Sequence, residues 1–162
     1  MKLNKNIETV RNIIAYIITL IGICILSIYM LAIHKYWCDE TQIWQLAKYN
    51  DVIGLYKACK AEGHPMLYSL IVKFIQLFSS DVISLSILNT IADIAAVAIL
   101  FFKINGKKWQ KILLSLGIQL CYFNAVNGRP YGLFTLIIVL VFATYQTRDE
   151  HPYRYYFSLM LL

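Results

Sequence analysis

Three short polar segments carry the residues that could do chemistry in this 162-residue chain. A carboxylate such as Asp39 or Glu40, set at the mouth of an apolar helix bundle, can act as a base because its surroundings raise the cost of ionising it. Arginine offers a planar fork of donors to a phosphate, and histidine and tyrosine add further donors. Together these residue types suit transfer of a group carried on a lipid phosphate. The segments are Trp37-Cys38-Asp39-Glu40, Gly63-His64-Pro65 and Gly128-Arg129-Pro130-Tyr131.

Each segment also has a plainer interpretation. Acidic residues that follow a membrane span are most often solvated loop charges. Trp37 and Tyr131 could be aromatic anchors at the membrane interface, and Arg129 could be a turn residue reaching lipid headgroups. His64, which precedes a proline, is by itself more often a turn or cap residue than a ligand. Only the joint placement of the three segments on one membrane face favours the functional interpretation.

The composition excludes a compact soluble globule. Hydrophobic residues make up 59% of the chain and charged residues only 15%, which is too little polar surface to cover a core in water. The net charge is +6, but the basic residues flank apolar runs instead of forming one stripe, so they indicate membrane topology and not nucleic-acid binding. The sequence contains no P-loop, GxGxxG, HExxH or GxSxG motif of the soluble enzymes.

The apolar runs predict an all-α membrane protein with about four transmembrane helices and a truncated fifth. Residues 13–33 run for 21 positions without a charge, or roughly 31 Å of helix, which matches a bilayer core. Further spans are predicted at residues 82–102, 112–126 and 131–146. The last apolar run, from residue 155, reaches only ~12 Å. We therefore expect a single transmembrane domain over residues 1–162 that is the front part of a longer module.

The basic residues predict a multi-pass protein of the cell membrane with a cytoplasmic N-terminus. Residues 34–64 then form the first external loop, in which residues 41–49 predict an interfacial helix with Ile43, Trp44, Leu46 and Ala47 on one face. Residues 66–78 could be a short span or a surface helix. A surface helix leaves nine cations inside against six outside, as the positive-inside rule requires, and it is the topology we choose. Its polar stripe, expected at lipid headgroups, is Ser69, Lys73, Gln76 and Ser80.

Two further features concern buried or paired side chains. Asp93 lies in the middle of the predicted second span, where an ionised carboxylate costs ~2.5–3.5 kcal/mol, and it shares a helix face with Ser86 and Asn89. An interhelical hydrogen bond is the preferred interpretation, and a role in proton relay or transport stays open. Cys38 and Cys59 could form a disulfide if the first loop faces an oxidising space.

The three polar segments, extended to Thr41 and Tyr68, resemble motifs of the GT-C integral-membrane glycosyltransferases. The resemblance is to the N-terminal part of the ArnT-like and protein-O-mannosyltransferase-like members, and it covers essentially the whole chain. In chain order the matching motifs are Trp37-x-Asp39-Glu40-Thr41, Gly63-His64-Pro65-x-x-Tyr68 and Arg129-Pro130-Tyr131.

The resemblance implies transfer of a sugar from a polyprenyl-phosphate donor to an acceptor on the outer face of the membrane, with inversion at the anomeric carbon. It makes Asp39 and Glu40 the catalytic residues. The implied partners are the polyprenyl-phosphate sugar and membrane lipids, with a divalent cation left open as cofactor. A non-catalytic lipid-phosphate-binding or assembly subunit, which needs a second membrane protein chain, is the alternative. The implied substrate-binding residues are His64, Tyr68, Arg129 and Tyr131.

Overall fold

Every regular element in the computed structural model of this chain is a helix, over the residues that the structure describes, 2–63 and 65–162, with the side chains of residues 2–6 and 121 left aside. This confirms the predicted all-α class. A π-helical turn, Gln119–Phe123, precedes the short helix α7. The α-helices are α1 Lys2–Ile33, α2 Cys38–Tyr49, α3 Val52–Glu62, α4 Met66–Ile75, α5 Ile83–Phe102, α6 Lys108–Ser115, α7 Asn124–Val126, α8 Tyr131–Tyr145 and α9 Pro152–Met160.

Two helices of the described chain are long and apolar enough to cross a membrane. They are Ile7–Ile33 within α1, with 27 residues, and α5, with 20 residues. At ~1.5 Å per residue these reach roughly 40 Å and 30 Å. The protein buries only 17% of the apolar window of α1 but 56% of that of α5. Helix α5 is therefore the central element, and α1 lies at the periphery with most of its apolar surface uncovered.

Helix α5 packs against α1 on one side and α8 on another. Against α1, the rings of Tyr16 and Phe101 stack at 4.6 Å beside the buried side chains of Ile23 and Val97. Against α8, the backbones meet at Gly132, where a Cβ atom would lie 2.5 Å from the carbonyl oxygen of Asn89. Only a residue without a side chain permits this approach, so Gly132 sets the distance between the two helices.

Helices α2, α3 and α4 form a separate layer with its own core. Ile43 and Trp44 of α2 pack against Tyr68 and Val72 of α4 and against Leu85 at the start of α5. The helix predicted at residues 41–49 is present and begins three residues earlier. Its apolar face, however, was expected to lie in the membrane interface, and that expectation is wrong. The ten-residue helix α4 packs against this face instead, so Ile43, Trp44 and Ala47 are buried within the protein.

Helix α4 is too short to span a membrane, at ~15 Å, which agrees with the choice of a surface helix. Three residues of its polar stripe, Ser69, Lys73 and Gln76, bind protein groups, whereas Ser80 lies beyond the helix and is exposed. The Lys73 ammonium donates to the backbone carbonyls of Ala47, at 2.9 Å, and Asn50, at 2.6 Å. The headgroup contact predicted for Lys73 is therefore wrong, because the last carbonyls of α2 have no intrahelical donor and bind this ammonium instead.

The segment predicted as a third span, residues 112–126, is not one continuous helix. Helix α6 ends at Ser115, and the chain resumes through the π-helical turn into α7. Helix α8 has 15 residues, or roughly 22 Å. Helix α9 has nine residues and packs back on α8, where the Thr144 and Ser158 hydroxyl oxygens are 2.8 Å apart.

The predicted polar face of α5 is buried, as expected, but its members bond differently. Asn89 donates to the Leu85 carbonyl and to the Tyr68 hydroxyl. Neither carboxylate oxygen of the fully buried Asp93 has a hydrogen-bond partner among the described side chains and backbone, so the hydrogen bond expected there is not formed. Cys38 and Cys59 are likewise unpaired: Cys38 is exposed, and the buried Cys59 sulfur lies 3.1 Å from the Ser69 hydroxyl.

Candidate functional site

The start of α2 turns Glu40 into the protein interior. Helix α2 begins at Cys38, so Glu40 stands in the first turn, where acidic side chains reach back to free backbone N–H groups. The Glu40 carboxylate accepts a hydrogen bond from the Trp37 backbone N–H at 2.7 Å. Its side chain has no exposure to solvent, whereas that of the neighbouring Asp39 is exposed.

The same carboxylate binds two other parts of the chain. It accepts a hydrogen bond from the backbone N–H of Gly128, in the loop before α8. The Nε2 atom of His34, just after α1, lies 3.1 and 3.0 Å from its two oxygens. We call this group, formed by Glu40 with His34, Trp37 and Gly128, the Glu40 clasp. It fastens the end of α1, the start of α2 and the loop before α8 to one buried charge.

Gly128 is required at its position because of this close approach. A Cβ atom there would lie 2.9 Å from a Glu40 carboxylate oxygen and 3.2 Å from the Cβ atom of Leu85. The Gly128 carbonyl in turn accepts a hydrogen bond from the buried Tyr68 hydroxyl at 2.5 Å. Burial raises the pKa of Tyr68 to about 12, with a smaller opposing effect from its hydrogen bond with Asn89, so the phenol stays protonated and donates.

The structure thus brings together three of the residues predicted for the site: Glu40, Tyr68 and Arg129. Arg129 follows Gly128 directly and is half-buried, and it lines a small cavity with Ile43, Pro65 and Tyr68. Its Nε atom is buried and has no hydrogen-bond partner within residues 2–63 and 65–162. A guanidinium donor without a partner is suited to binding an anion.

The remaining predicted residues lie at the edge of this group or outside the described chain. Asp39 stands exposed in the first turn of α2, and Tyr131, 45% exposed, begins α8. His64 lies outside the described residues.

The geometry separates the two acidic residues predicted to be catalytic. Both oxygens of Glu40 already accept hydrogen bonds from the rest of the clasp, so this carboxylate is an anchor in the described geometry. Asp39 has no such partners in the described chain and is open to solvent, which leaves it as the carboxylate that an acceptor could approach. No group of three or more His, Cys, Asp and Glu side chains that could hold a metal ion is present in the part of the chain described.

Sequence reasoning missed His34 and the structural role of Gly128. His34 ends the longest apolar run and stands six residues before Glu40, and only 5% of its side chain is exposed. A titratable residue at the end of a span, close in sequence to an acidic pair, is the signal that could have found it. The bond from Glu40 to Gly128 could not be found in this way, because it joins segments far apart in the sequence.

Comparison with known proteins adds no relative to this picture. No protein-family model, no curated protein and no solved structure matches the chain. The resemblance to the GT-C glycosyltransferases thus rests on the motif residues alone.

Proposed function

We propose that this chain belongs to a membrane enzyme that transfers a sugar from a polyprenyl-phosphate donor to an acceptor on the outer face. The observation that carries the proposal is the convergence of Glu40, Tyr68 and Arg129 from three distant segments. Tyr68 packs against Leu85 in the first turn of α5, and Gly128, which binds both Glu40 and Tyr68, also lies close to Leu85. Helix α5 is one of the two helices long enough to cross a membrane. A lipid-borne substrate would meet such a site from the bilayer.

The proposed roles follow from exposure and charge. Asp39, the accessible carboxylate, takes the proton of the acceptor group as that group attacks the anomeric carbon. The bond from that carbon to the phosphate oxygen breaks, and the polyprenyl phosphate leaves with the electron pair. Arg129 holds the departing phosphate with its free guanidinium donor, and Tyr131 adds a hydroxyl. The Glu40 clasp and Tyr68 position the loop that carries Arg129.

The proposed topology has four crossings, with the N-terminus inside. Helices α1 and α5 supply two, the interrupted segment from α6 to α7 the third, and α8 the fourth. An interrupted helix is tolerated at membrane depth where protein covers its backbone. The buried residues Asn124, Ala125 and Val126, and the hydrogen bond from Thr90 to the Ala125 carbonyl, provide such cover at one end of the third crossing.

A non-catalytic lipid-phosphate-binding or assembly subunit is the second candidate. It is favoured by the occupied oxygens of Glu40, which withdraw one of the two predicted catalytic carboxylates from any reaction. The uncovered apolar face of α1, which includes Ile18 and Ile25, would face lipid or a partner helix in either case.

The deciding experiment measures turnover and binding on the same membranes. Membranes from cells that express the chain are incubated with a radiolabelled polyprenyl-phosphate sugar. The polyprenyl phosphate that is released and the labelled donor that stays bound to the protein are then quantified. We expect turnover that falls at least ~100-fold in Asp39→Asn, since a positioned base contributes that much. Glu150→Gln, a change at an exposed acidic residue far from the site in sequence, is the matched control. Retention that depends on Arg129 without turnover would favour the binding subunit, and absence of both would overturn both candidates.

A further inference from the structure

We propose that a groove between α5, α6 and α8 binds an anionic phospholipid, with one acyl chain in the groove and the phosphate at Lys103 and Lys107. The groove has a volume of about 540 Å³, within the range of small-molecule sites. We call it the α5–α8 groove. It contains none of the residues given roles in sugar transfer, and the proposal does not depend on that function. The residues that line it include Ala96, Leu100, Ile104, Leu114, Gln119 and Thr135.

The inside of the groove selects a hydrocarbon chain. Almost all of the surface that lines it is apolar. Its two polar side chains already bind protein groups. The Gln119 amide donates to Oδ1 of Asn124 at 2.9 Å. The Thr135 hydroxyl donates to the Tyr131 carbonyl at 2.8 Å. A polar ligand would therefore lose its hydrogen bonds to water and gain none from the protein, whereas an acyl chain has none to lose.

The groove is open at one side and has about the length of one membrane leaflet. Leu114 and Phe142 line it and are both more than half exposed, so a chain can enter sideways from the bilayer. Along α5 the lining extends from Ala96 to Ile104, or ~12 Å. One leaflet contributes roughly 15 Å of hydrocarbon, half of a bilayer core. One acyl chain therefore fits the groove, while the second chain of the same lipid stays in the bilayer.

Two free cations stand at one end of the groove. Ile104 ends the lining along α5, and the exposed Lys103 precedes it directly. Lys107, also exposed, stands just before α6, two helical turns from Leu114. Neither lysine forms an ion pair with a carboxylate within residues 2–63 and 65–162. Both ammonium groups are thus available to the oxygens of a phosphate at the end of the groove.

The surface around this end is also basic. The Asn105 backbone N–H donates to the Gln146 side chain at 3.2 Å, so the turn after α5 adjoins the loop after α8. These two segments, residues 103–108 and 146–154, hold five basic side chains against two acidic ones. Basic side chains at a membrane surface attract anionic lipids, so the complementary headgroup is an anionic one.

The test uses the purified chain in nanodiscs of saturated phosphatidylcholine that contain a small fraction of a photoreactive lipid. The probe is phosphatidylglycerol with a diazirine in one acyl chain, and phosphatidylcholine with the same chains is the matched ligand. We expect the phosphatidylglycerol probe to label peptides that contain Leu114 or Phe142 at least ~10-fold more strongly. Equal labelling by the two probes would overturn the proposal. Labelling that maps elsewhere, as it would if another helix covered the groove, would overturn it too.

One pair of variants tests the groove itself. Leu114→Trp fills the groove from an exposed position, and we expect it to abolish labelling. Leu116→Trp, at an exposed position outside the groove, should keep full labelling. Retained labelling in Leu114→Trp contradicts the proposal. If that variant does not fold, the comparison of the two lipid probes decides the matter, because it needs no substitution.

A second pair of variants tests the basic end. Lys103→Gln combined with Lys107→Gln should reduce labelling by phosphatidylglycerol to that by phosphatidylcholine. Lys57→Gln combined with Lys60→Gln, at exposed positions on α3, should leave the preference unchanged. A preference that survives in the first double variant would overturn the proposal. Displacement of the probe by an equimolar polyprenyl phosphate would assign the groove to that lipid and overturn it as well. None of these readouts requires sugar transfer.

Discussion

The buried carboxylate of Glu40 accepts a hydrogen bond from the backbone N–H of Gly128, which lies 88 residues further along the chain. This bond joins the segment that follows α1 to the loop that precedes α8. Tyr68 completes the link from the other side, because its hydroxyl donates to the carbonyl of the same glycine. The backbone N–H and carbonyl of Gly128 are thus both hydrogen-bonded, and this fixes the position of the next residue, Arg129.

Removal of the Glu40 carboxylate should destabilise the protein strongly. Glu40→Ala leaves the donors of Trp37, Gly128 and His34 without their acceptor, and each buried donor left without a partner typically costs ~1–3 kcal/mol. Asp39→Asn, at the exposed neighbouring position, should change stability by less than ~0.5 kcal/mol. Unfolding of both variants in mixed micelles with increasing dodecyl sulfate measures the difference. Equal stability of the two variants would contradict the buried clasp.

Substitution of two glycines by alanine should have opposite effects on stability, because one lies at the contact between α5 and α8 and the other has open space around it. Gly132→Ala places a Cβ atom 2.5 Å from the Asn89 carbonyl oxygen and 2.8 Å from that of Asn124, so α8 must move and about 1–3 kcal/mol or more is lost. Gly22→Ala, in α1, meets no atom within 4 Å and should stabilise the helix by ~0.5–1 kcal/mol.

The same unfolding assay compares the two glycine variants. A Gly132→Ala protein that is as stable as the Gly22→Ala protein would show that α5 and α8 are further apart than described.

Burial of Tyr68 predicts a loss of stability at alkaline pH. Its folded pKa is raised from 10.0 to about 12 by desolvation, so between pH 10 and 12 the unfolded chain releases this proton while the folded protein keeps it. Stability contributed by the neutral phenol is complete below pH 10 and falls by ~1.4 kcal/mol per pH unit up to about pH 12. The free energy of unfolding of Tyr68→Phe should not fall in this way between pH 10 and 12. That of Tyr131→Phe, a change at an exposed position, should fall as in the unsubstituted protein. Identical slopes in both variants would contradict the prediction.

The contact of Lys73 with the end of α2 predicts a structural effect of its replacement. Lys73→Met keeps the apolar stem but removes two hydrogen bonds to the Ala47 and Asn50 carbonyls, at a cost of about 1–3 kcal/mol. Hydrogen exchange should accelerate in the last turn of α2. Lys57→Met, an exposed change on α3, is the control. Unchanged exchange together with weaker binding to anionic vesicles would instead support a headgroup contact.

The proposed topology predicts which thiols an impermeant maleimide reaches on intact cells. In a chain that keeps only the exposed Cys38, with the other cysteines replaced by alanine, labelling should proceed from outside. In a Cys38→Ser background, Lys107→Cys, at an exposed position before α6, should react only after permeabilisation. Reaction at position 107 from outside would reverse the proposed sidedness and separate the site from the outer face.

Much of the helical architecture could be predicted from the sequence alone. Uninterrupted apolar runs of bilayer length are a local property, and they predicted both ends of α5 to within one residue and the last residue of α1, which begins earlier than the predicted span. The amphipathic pattern also predicted α2, and length predicted that α4 would not span. The break after Ser115 was missed, because apolar composition does not distinguish a continuous helix from one interrupted by a π-helical turn.

What each polar side chain contacts was decided only by the tertiary structure. The sequence singled out Asp39, Glu40, Tyr68, Lys73 and Arg129 by type, but a pattern cannot tell a solvent-facing carboxylate from one that binds a backbone N–H 88 residues away. The apolar face of α2 and the polar stripe of α4 were both assigned to the membrane. Instead, the apolar side chains of α2 pack against α4, and Lys73 and Gln76 donate hydrogen bonds to backbone carbonyls of α2. The physical reason is that a side chain binds the strongest partner within reach, and which partners are within reach is a property of the packed chain.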